Sequence, residues 1–234
     1  MALKNFVPNQ PKKIMHIRKL VLETGDPVLL STFYESVLEI PAFQGKNFFM
    51  LPLGETDIIF RPASSQSNPY YHFAINIPAN KIEEARDWLS GKVELIWLQD
   101  YKSDIADFVG WHARSVYFFD VAGNIVELIA RSDLDNATAE QFSPNQFLSV
   151  SEAGLVFTEN EIDHRNTDLM TRYSLPFFSK QLPEKHFKVI GDDLGLFIIV
   201  SEHRYWYPTN NKAASIFPIE IEFENKGKEY LLKL

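Results

Sequence analysis

The sequence predicts an α+β fold built from three copies of a βαβββ unit. One observation is that the order of an apolar strand, an amphipathic helix and further strands returns three times along the 234 residues. A second is the hairpin that closes the second copy, in which two apolar strands flank the turn residues Gly123 and Asn124. Each unit should therefore supply one helix that covers one face of one sheet.

The first unit shows the pattern most clearly. Asp26 and Pro27 predict a helix start, because Asp caps free amide groups and Pro fits the first helical position. Leu29, Phe33 and Val37 follow at intervals of four residues, which is typical of an amphipathic helix. The strands of this unit are predicted at residues 19–24, 48–53 and 57–61.

The second and third units repeat this order less regularly. Asn80 and Glu83 have the spacing of a capping box before the second helix, and Thr158 and Glu161 have it before the third. The remaining strands are predicted at residues 72–77, 94–98, 114–119 and 125–130 in the second unit, and at 153–157, 185–190, 196–200 and 219–223 in the third.

Three domain segments result from this order. Units one and two should close their sheets into one cupped mixed sheet at residues 14–131, and the polar residues 132–145 should act as a linker. The third unit, residues 146–234, then has no partner within the chain and leaves an uncovered sheet edge. We expect it to pair with its copy in a homodimer. The aromatic run from Arg204 to Pro208 is expected to pack internally or to form a subunit contact.

The alternation of side chains along the strands separates the helix-covered faces from the opposite faces. Lys19, His72 and Glu127 all fall on faces turned away from the helices. A carboxylate in an apolar strand costs several kcal/mol unless it is paired, so Glu127 indicates a wet cavity or a bound cation. A cup formed by units one and two would bring these three side chains together. The side chains expected to bind a small molecule there are Lys19, Glu23, Asn76, His112, Ser115 and Tyr117.

Three motifs within residues 14–131 resemble a known superfamily. They are Asp26…Phe33-Tyr34-x-x-Val37-Leu38, Tyr71-His72-Phe73-Ala74 and Tyr117-Phe118-Phe119-Asp120-x-x-Gly123-Asn124-x-x-Glu127-Leu128. This pattern is similar to that of the vicinal oxygen chelate superfamily. The superfamily includes glyoxalase I, bleomycin-resistance proteins, fosfomycin-resistance enzymes and extradiol ring-cleaving dioxygenases.

The resemblance implies a glyoxalase-like cup that holds a divalent metal ion (Zn, Fe, Mn or Ni), which chelates two adjacent substrate oxygens. The usual ligands are a His on the first strand of each paired unit and a Glu on the last strand of the second. By this resemblance His72 and Glu127 are metal ligands, and the remaining ligand position falls on Lys19. A charged Lys has no lone pair and cannot bind a metal.

Two functions are compatible with this departure. The expected one is a small-molecule pocket around Lys19, His72 and Glu127 with a degenerate metal site, in which Lys19 pairs with Glu127 and no cofactor is needed. The alternative is a divalent-metal-dependent lyase or ring-cleaving dioxygenase that keeps His72 and Glu127 as ligands. Whether the protein is a catalyst or a binder stays open at this point.

Composition narrows the possible partners and compartment. The formal net charge of −8 at pH 7 disfavours nucleic acid, because such binding depends on Lys and Arg neutralising phosphates. No run of residues approaches the roughly 18 apolar residues that a membrane helix needs. The sequence has no Cys, so it has no disulfide and no zinc–thiolate site, which suits a cytoplasmic protein.

Overall fold

The computed structural model describes residues 15–64 and 68–234. It confirms the α+β class and the order of strand, helix and strands in the three repeats. The predicted strand at residues 94–98 is wrong, because that segment makes isolated bridges and the strand lies at Ile105–Phe108. The α-helices are α1 (Pro27–Ser36), α2 (Ile82–Ser90) and α3 (Ile162–Tyr173). The strands are β1 (His16–Thr24), β2 (Phe43–Gln44), β3 (Phe49–Leu53), β4 (Thr56–Pro62), β5 (His72–Ile77), β6 (Ile105–Phe108), β7 (Ala113–Phe119), β8 (Ile125–Arg131), β9 (Ser149–Phe157), β10 (Phe187–Asp192), β11 (Gly195–Ser201), β12 (Ile219–Asn225) and β13 (Lys228–Lys233).

The strands form two mixed sheets. Sheet A has the order β13-β12-β1-β4-β3-β2, and sheet B has the order β10-β11-β9-β5-β8-β7-β6. In all three units the strand before the helix lies parallel to the last strand of the unit in its sheet: β1 pairs with β4, β5 with β8, and β9 with β11. The three units therefore share this parallel pairing, but unit three has only two strands after its helix, because the predicted last strand, β12, lies in sheet A.

The predicted pairing of units one and two was wrong. Strand β5 pairs antiparallel with β9, so unit two forms the cupped sheet B with unit three. Strand β1 pairs antiparallel with β12, so the hairpin β12–β13 completes the sheet of unit one. Within its own unit the first strand has a neighbour on one side only, so its other edge needs a strand from elsewhere in the chain. Side-chain alternation gives the face of a strand but not the identity of that neighbour.

This pairing changes the expected domain organisation and removes the basis for the expected dimer. Residues 14–131 do not form a self-contained pair of units, because their strands are divided between the two sheets. Unit three has its partner within the chain, so it no longer needs a second copy to cover its sheet edge. The oligomeric state stays a prediction, as does the role of residues 132–145 as a linker.

The predicted strand faces are confirmed. One apolar core contains side chains of both sheets and all three helices, including Leu20 and Leu22 of sheet A and Phe73 and Leu128 of sheet B. Sheet B also buries its opposite face, which carries Ile129 in the next apolar layer. Each sheet thus has one face on the common core and one face turned away from it.

Local signals decide where the helices begin. The Asp26 carboxylate accepts a hydrogen bond from the Leu29 amide at 2.9 Å, as predicted for an N-cap. The predicted capping box at Asn80 is wrong, because its side chain bonds instead to the backbone of Thr138. Within the described residues, no helix has the length and apolar character that a membrane span requires.

Candidate functional site

A cavity of about 200 Å³ lies on the face of sheet B that is turned away from the common core. Strands of unit two and unit three both contribute to it, and the segment after β11 covers it. The walls are predominantly aromatic, whereas the ionisable groups come mainly from the central strands. The lining residues are His72, Phe108, Trp111, Tyr117, Glu127, Ile129, Glu152, Gln181, Phe187, Ile198, Arg204, Trp206 and Tyr207.

Three buried side chains, His72, Glu127 and Glu152, meet in this cavity because their strands are neighbours. Ala74 of β5 is paired with Glu127 of β8 on one side and with Glu152 of β9 on the other. One ligand atom from each of the three side chains lies within 4.8 Å of the other two. The His72 Nε2 atom is 3.6 Å from the Glu127 carboxylate. These three side chains are called the His–Glu–Glu cluster below.

The hydrogen bond of His72 fixes which of its nitrogens faces the cluster. Nδ1 lies 3.2 Å from the Ile125 carbonyl oxygen, which can only accept, so Nδ1 carries the proton. The lone pair is then on Nε2, the atom near Glu127. Burial lowers the pKa of His72 to about 4, so the ring is neutral at pH 7. This is the state in which an imidazole binds a metal ion.

The surroundings of the two carboxylates disfavour their charged forms. Burial, and then the charge of Glu152, raise the pKa of Glu127 to about 8, although the nearby Ser115 and Tyr117 hydroxyls act in the opposite direction. Burial also raises the pKa of Glu152, against the lowering effect of Arg131. A positive charge placed between the two carboxylates would relieve this cost.

Arg131 supplies part of that positive charge from one side. Its fully buried guanidinium contacts the Glu152 carboxylate and also donates to Asp193 at 3.3 Å. Asp193 is bound in turn by Lys180 at 2.8 Å, and Lys180 lies 2.9 Å from Asp133 at the surface. A chain of alternating charges therefore runs from the cluster to solvent and holds Glu152 in place.

The structure brings together only some of the residues predicted for the site. Tyr117 lines the cavity directly opposite Glu127 on the neighbouring strand. Ser115 is fully buried on the same strand face, and its hydroxyl has no hydrogen-bond partner among the described residues. Asn76 shares the strand face of His72, but its amide donates to the Asp193 carbonyl at 3.3 Å and it does not line the cavity.

The other three predicted residues lie elsewhere, which corrects the expected pocket. Lys19 is on sheet A and pairs with Glu222 at 2.8 Å, so it does not approach Glu127. Glu23, also on sheet A, accepts hydrogen bonds from Ser64. His112 is exposed and lies 2.9 Å from Asp133. The errors for Lys19 and Glu23 share one cause, because both were placed in the pocket on the assumption that unit one forms the cup with unit two.

Sequence reasoning missed Glu152, Arg131 and the aromatic cover. Glu152 is a carboxylate in an apolar strand, the same signal that identified Glu127. The strand was predicted to begin at residue 153, one residue after Glu152, whereas it begins at Ser149. Arg131 likewise ends β8, one residue past the predicted end. Trp206 belongs to the aromatic run that was expected to pack or to form a subunit contact. The ring does pack internally, and it packs over His72, with 5.2 Å between the ring centroids, a position in the cavity wall that was not predicted.

Comparisons with known proteins extend these observations. No family model matches the sequence, and no curated protein matches it. A solved structure of a point variant of glyoxalase I from Zea mays is 12% identical, with 94% of this chain and 92% of that chain covered and a TM-score of 0.54. A candidate dioxygenase from Bacillus subtilis subsp. subtilis str. 168 is 17% identical, with 81% of this chain covered and a TM-score of 0.53.

These similarities concern the fold. This chain spans 64% of the length of the Bacillus protein, and both identities are too low to transfer an activity. The repeated unit of strand, helix and strands, the cupped sheet B and the two solved structures agree in fold with the resemblance carried by the three sequence motifs. This chain therefore has a glyoxalase-like fold.

Proposed function

We propose that this protein is a divalent-metal-dependent enzyme that acts on a small molecule, with His72, Glu127 and Glu152 as the metal ligands. The observation that carries the proposal is the His–Glu–Glu cluster, whose ligand atoms lie within 4.8 Å of one another in an aromatic cavity. Three protein ligands beside an open cavity are typical of catalytic rather than structural metal sites.

The donor chemistry fits a metal ion. One neutral imidazole nitrogen and two carboxylate oxygens suit Zn²⁺, Fe²⁺, Mn²⁺ or Ni²⁺, and the choice among them is not determined by the ligands alone. Glu152 takes the place that was expected of Lys19, because it lies on the first strand of the unit that actually pairs with unit two. The departure from the family's ligand pattern is therefore smaller than Lys19 suggested.

The residues around the cluster have separate roles in this proposal. A bound metal ion would supply a Lewis acid for oxygen atoms of the substrate. The His72 ring is oriented by the Ile125 carbonyl, and Glu152 is oriented by Arg131. Trp206 covers His72 and keeps it buried, which strengthens electrostatic interactions at that side of the cluster.

A second candidate is a small-molecule binder that works without a metal. Arg131 already neutralises Glu152, and the raised pKa of Glu127, about 8, keeps that carboxyl mostly protonated at pH 7. The cavity can thus be close to neutral with no ion present. This candidate retains the small-molecule pocket and abandons the predicted Lys19–Glu127 pair.

Elemental analysis of the purified protein distinguishes the two candidates. We expect about one equivalent of a transition metal per chain, bound after purification or after dialysis against Zn²⁺, Fe²⁺, Mn²⁺ and Ni²⁺ in turn. Glu127→Gln and Glu152→Gln keep the side-chain shape and should lose most of this metal. Glu222→Gln, an exposed position of sheet A, is the matched control and should retain it.

The opposite result is equally clear. If the natural protein takes up none of the four ions, or if Glu152→Gln binds metal as well as Glu222→Gln does, the cluster is not a metal site. The metal-free binder then becomes the better assignment.

A further inference from the structure

The size of the cavity limits the molecule that it can hold. Its volume is about 200 Å³. A buried apolar cavity of about 150 Å³ is large enough to bind benzene. The cavity therefore has room for one six-membered ring with short substituents, but a second ring or a long chain would have to extend into solvent.

The walls favour an aromatic ring. Phe108, Trp111, Trp206 and Tyr207 all line the cavity, and aromatic side chains pack well against an aromatic ligand in stacked or edge-on geometry. The Tyr207 hydroxyl is also buried and has no hydrogen-bond partner among the described residues. A buried hydroxyl without a partner is costly, so a polar group of a ligand near it would be favourable.

Arg204 is the one Lys or Arg side chain among the described residues that line the cavity, and the Glu184 carboxylate acts on it only at longer range than an ion pair. Its guanidinium is half-buried and lies 4.9 Å from the centre of the Phe187 ring. One of its amino groups donates to the Tyr205 carbonyl at 3.2 Å. No carboxylate oxygen of the described residues lies within 4.0 Å of it, in contrast to Arg131. An arginine carries five N–H donors, so most of those of Arg204 are available to a ligand.

From these observations we infer that the cavity binds a single-ring aromatic carboxylate, whose carboxylate group pairs with Arg204 while its ring lies between the aromatic walls. Arginine is the side chain best suited to this, since its planar guanidinium can bind both oxygens of a carboxylate. The inference rests on the proposed function, because it names the substrate class for the same cavity.

A pair of probes of the same shape tests the inference. Benzoate and benzamide differ mainly in charge, and their affinities for the natural protein can be measured by quenching of tryptophan fluorescence. We expect benzoate to bind more tightly, and the ratio of benzoate to benzamide affinity to fall about tenfold in Arg204→Gln. Any binding of benzoate to a metal ion is common to both proteins and cancels in this comparison.

Two further variants keep the test decisive. Arg61→Gln removes an exposed arginine of sheet A and should leave the ratio unchanged. Arg204→Lys keeps the charge and should retain part of the preference, which guards against a folding defect in Arg204→Gln. The inference is overturned if neither probe binds, or if the ratio is the same in Arg204→Gln as in the natural protein.

The outcomes also separate this inference from the proposed function. A ratio that depends on Arg204 in a protein that holds no metal would support the carboxylate site and reject the metal enzyme. A stoichiometric metal with a ratio indifferent to Arg204 would do the reverse.

Discussion

The outer faces of the two sheets carry similar residues in very different surroundings. On sheet A, Lys19 pairs with Glu222 and Arg61 pairs with Glu220, and these side chains are partly exposed. On sheet B, Glu127, Glu152 and Arg131 are buried almost completely. Side-chain alternation places charged residues on the outer faces of both sheets. Only on sheet B are these residues covered, so only there do their charges interact strongly. A charge on a strand therefore indicates a site only when something covers it.

The segment that covers the outer face of sheet B contacts the sheet most closely through Trp206. Trp206 lies over His72, and the strand below it has Gly154, where a Cβ atom would come within 2.6 Å of the Trp206 ring. The absence of a side chain at Gly154 therefore lets the tryptophan approach the sheet. The difference between the two faces can be tested at this contact and at the charges themselves.

The largest expected difference between the sheets is at their arginines. Arg131→Met should destabilise the protein by about 3–5 kcal/mol, because it leaves the buried Glu152 without its partner. Arg61→Met on sheet A should cost less than about 1 kcal/mol, as is usual for exposed ion pairs. The free energies of unfolding in urea give both values. Equal losses in the two variants would mean that burial does not distinguish the faces.

The pH dependence of the chelator-treated protein should reveal Glu127 next. Its pKa is raised to about 8 in the fold, so the folded state binds more protons than the unfolded state between pH 5 and 7. Glu127 contributes its whole stabilising free energy below the pKa that it has in the unfolded chain. This contribution decreases as pH rises, by about 2–3 kcal/mol between pH 5 and 7.

His72 acts in the opposite direction and must be separated from Glu127. Its lowered pKa, about 4, means that stability is lost as pH falls below about 6.5. The comparison of the natural chain with Glu127→Gln isolates the glutamate, since His72 is present in both. The stability difference between them should change in favour of Glu127→Gln from pH 5 to pH 7. A difference independent of pH would contradict the buried, protonated carboxyl.

The cover itself can be tested with a pair of glycines. Gly154→Ala places a methyl group against Trp206 and should cost about 1–3 kcal/mol. Gly110→Ala meets no atom within 4 Å and should change stability by less than about 0.5 kcal/mol. Thermal unfolding of both variants provides the measurement. A Gly154→Ala protein as stable as Gly110→Ala would show that Trp206 does not press on the sheet.

The smallest effect is expected at Lys19, the residue that the sequence placed in the pocket. Lys19→Met removes an exposed pair with Glu222 and should change the free energy of unfolding by less than about 1 kcal/mol. Metal content and benzoate binding should both remain as in the natural protein. A loss of either property in Lys19→Met would restore the pocket around Lys19 and undermine the separation of the two sheets.

Much of the local structure could be predicted because its signals are local, although the capping box at Asn80 and the strand at residues 94–98 were wrong. The period of two along each strand placed His72 and Glu127 on the correct face, and Asp26 capped its helix as expected. Glu127 was identified because an isolated carboxylate in an apolar strand requires a partner. The same argument applies to Glu152, which lay one residue outside the predicted strand.

The pairing of the units could not be predicted in the same way. Strands β1, β5 and β9 each have an edge that can accept another first strand, and their alternation is compatible with more than one neighbour. The choice depends on how the whole core packs, including the hairpin β12–β13, whose last strand was not predicted. The position of Lys19 depended on that choice, as did the role of the segment that contains Trp206.

The division of strands between the sheets also sets an order of assembly. Sheet B consists of strands from the continuous segment between β5 and β11, whereas sheet A joins the first four strands of the chain to β12 and β13. During synthesis the ribosome delivers every strand around the His–Glu–Glu cluster before it delivers β12. Closing sheet A requires contacts between segments about 200 residues apart, and such distant contacts form slowly. The half of the molecule that holds the cluster can thus form while β1 still lacks β12. Pulsed hydrogen exchange during refolding should find the β5 amides protected before the β1 amides that bond to β12.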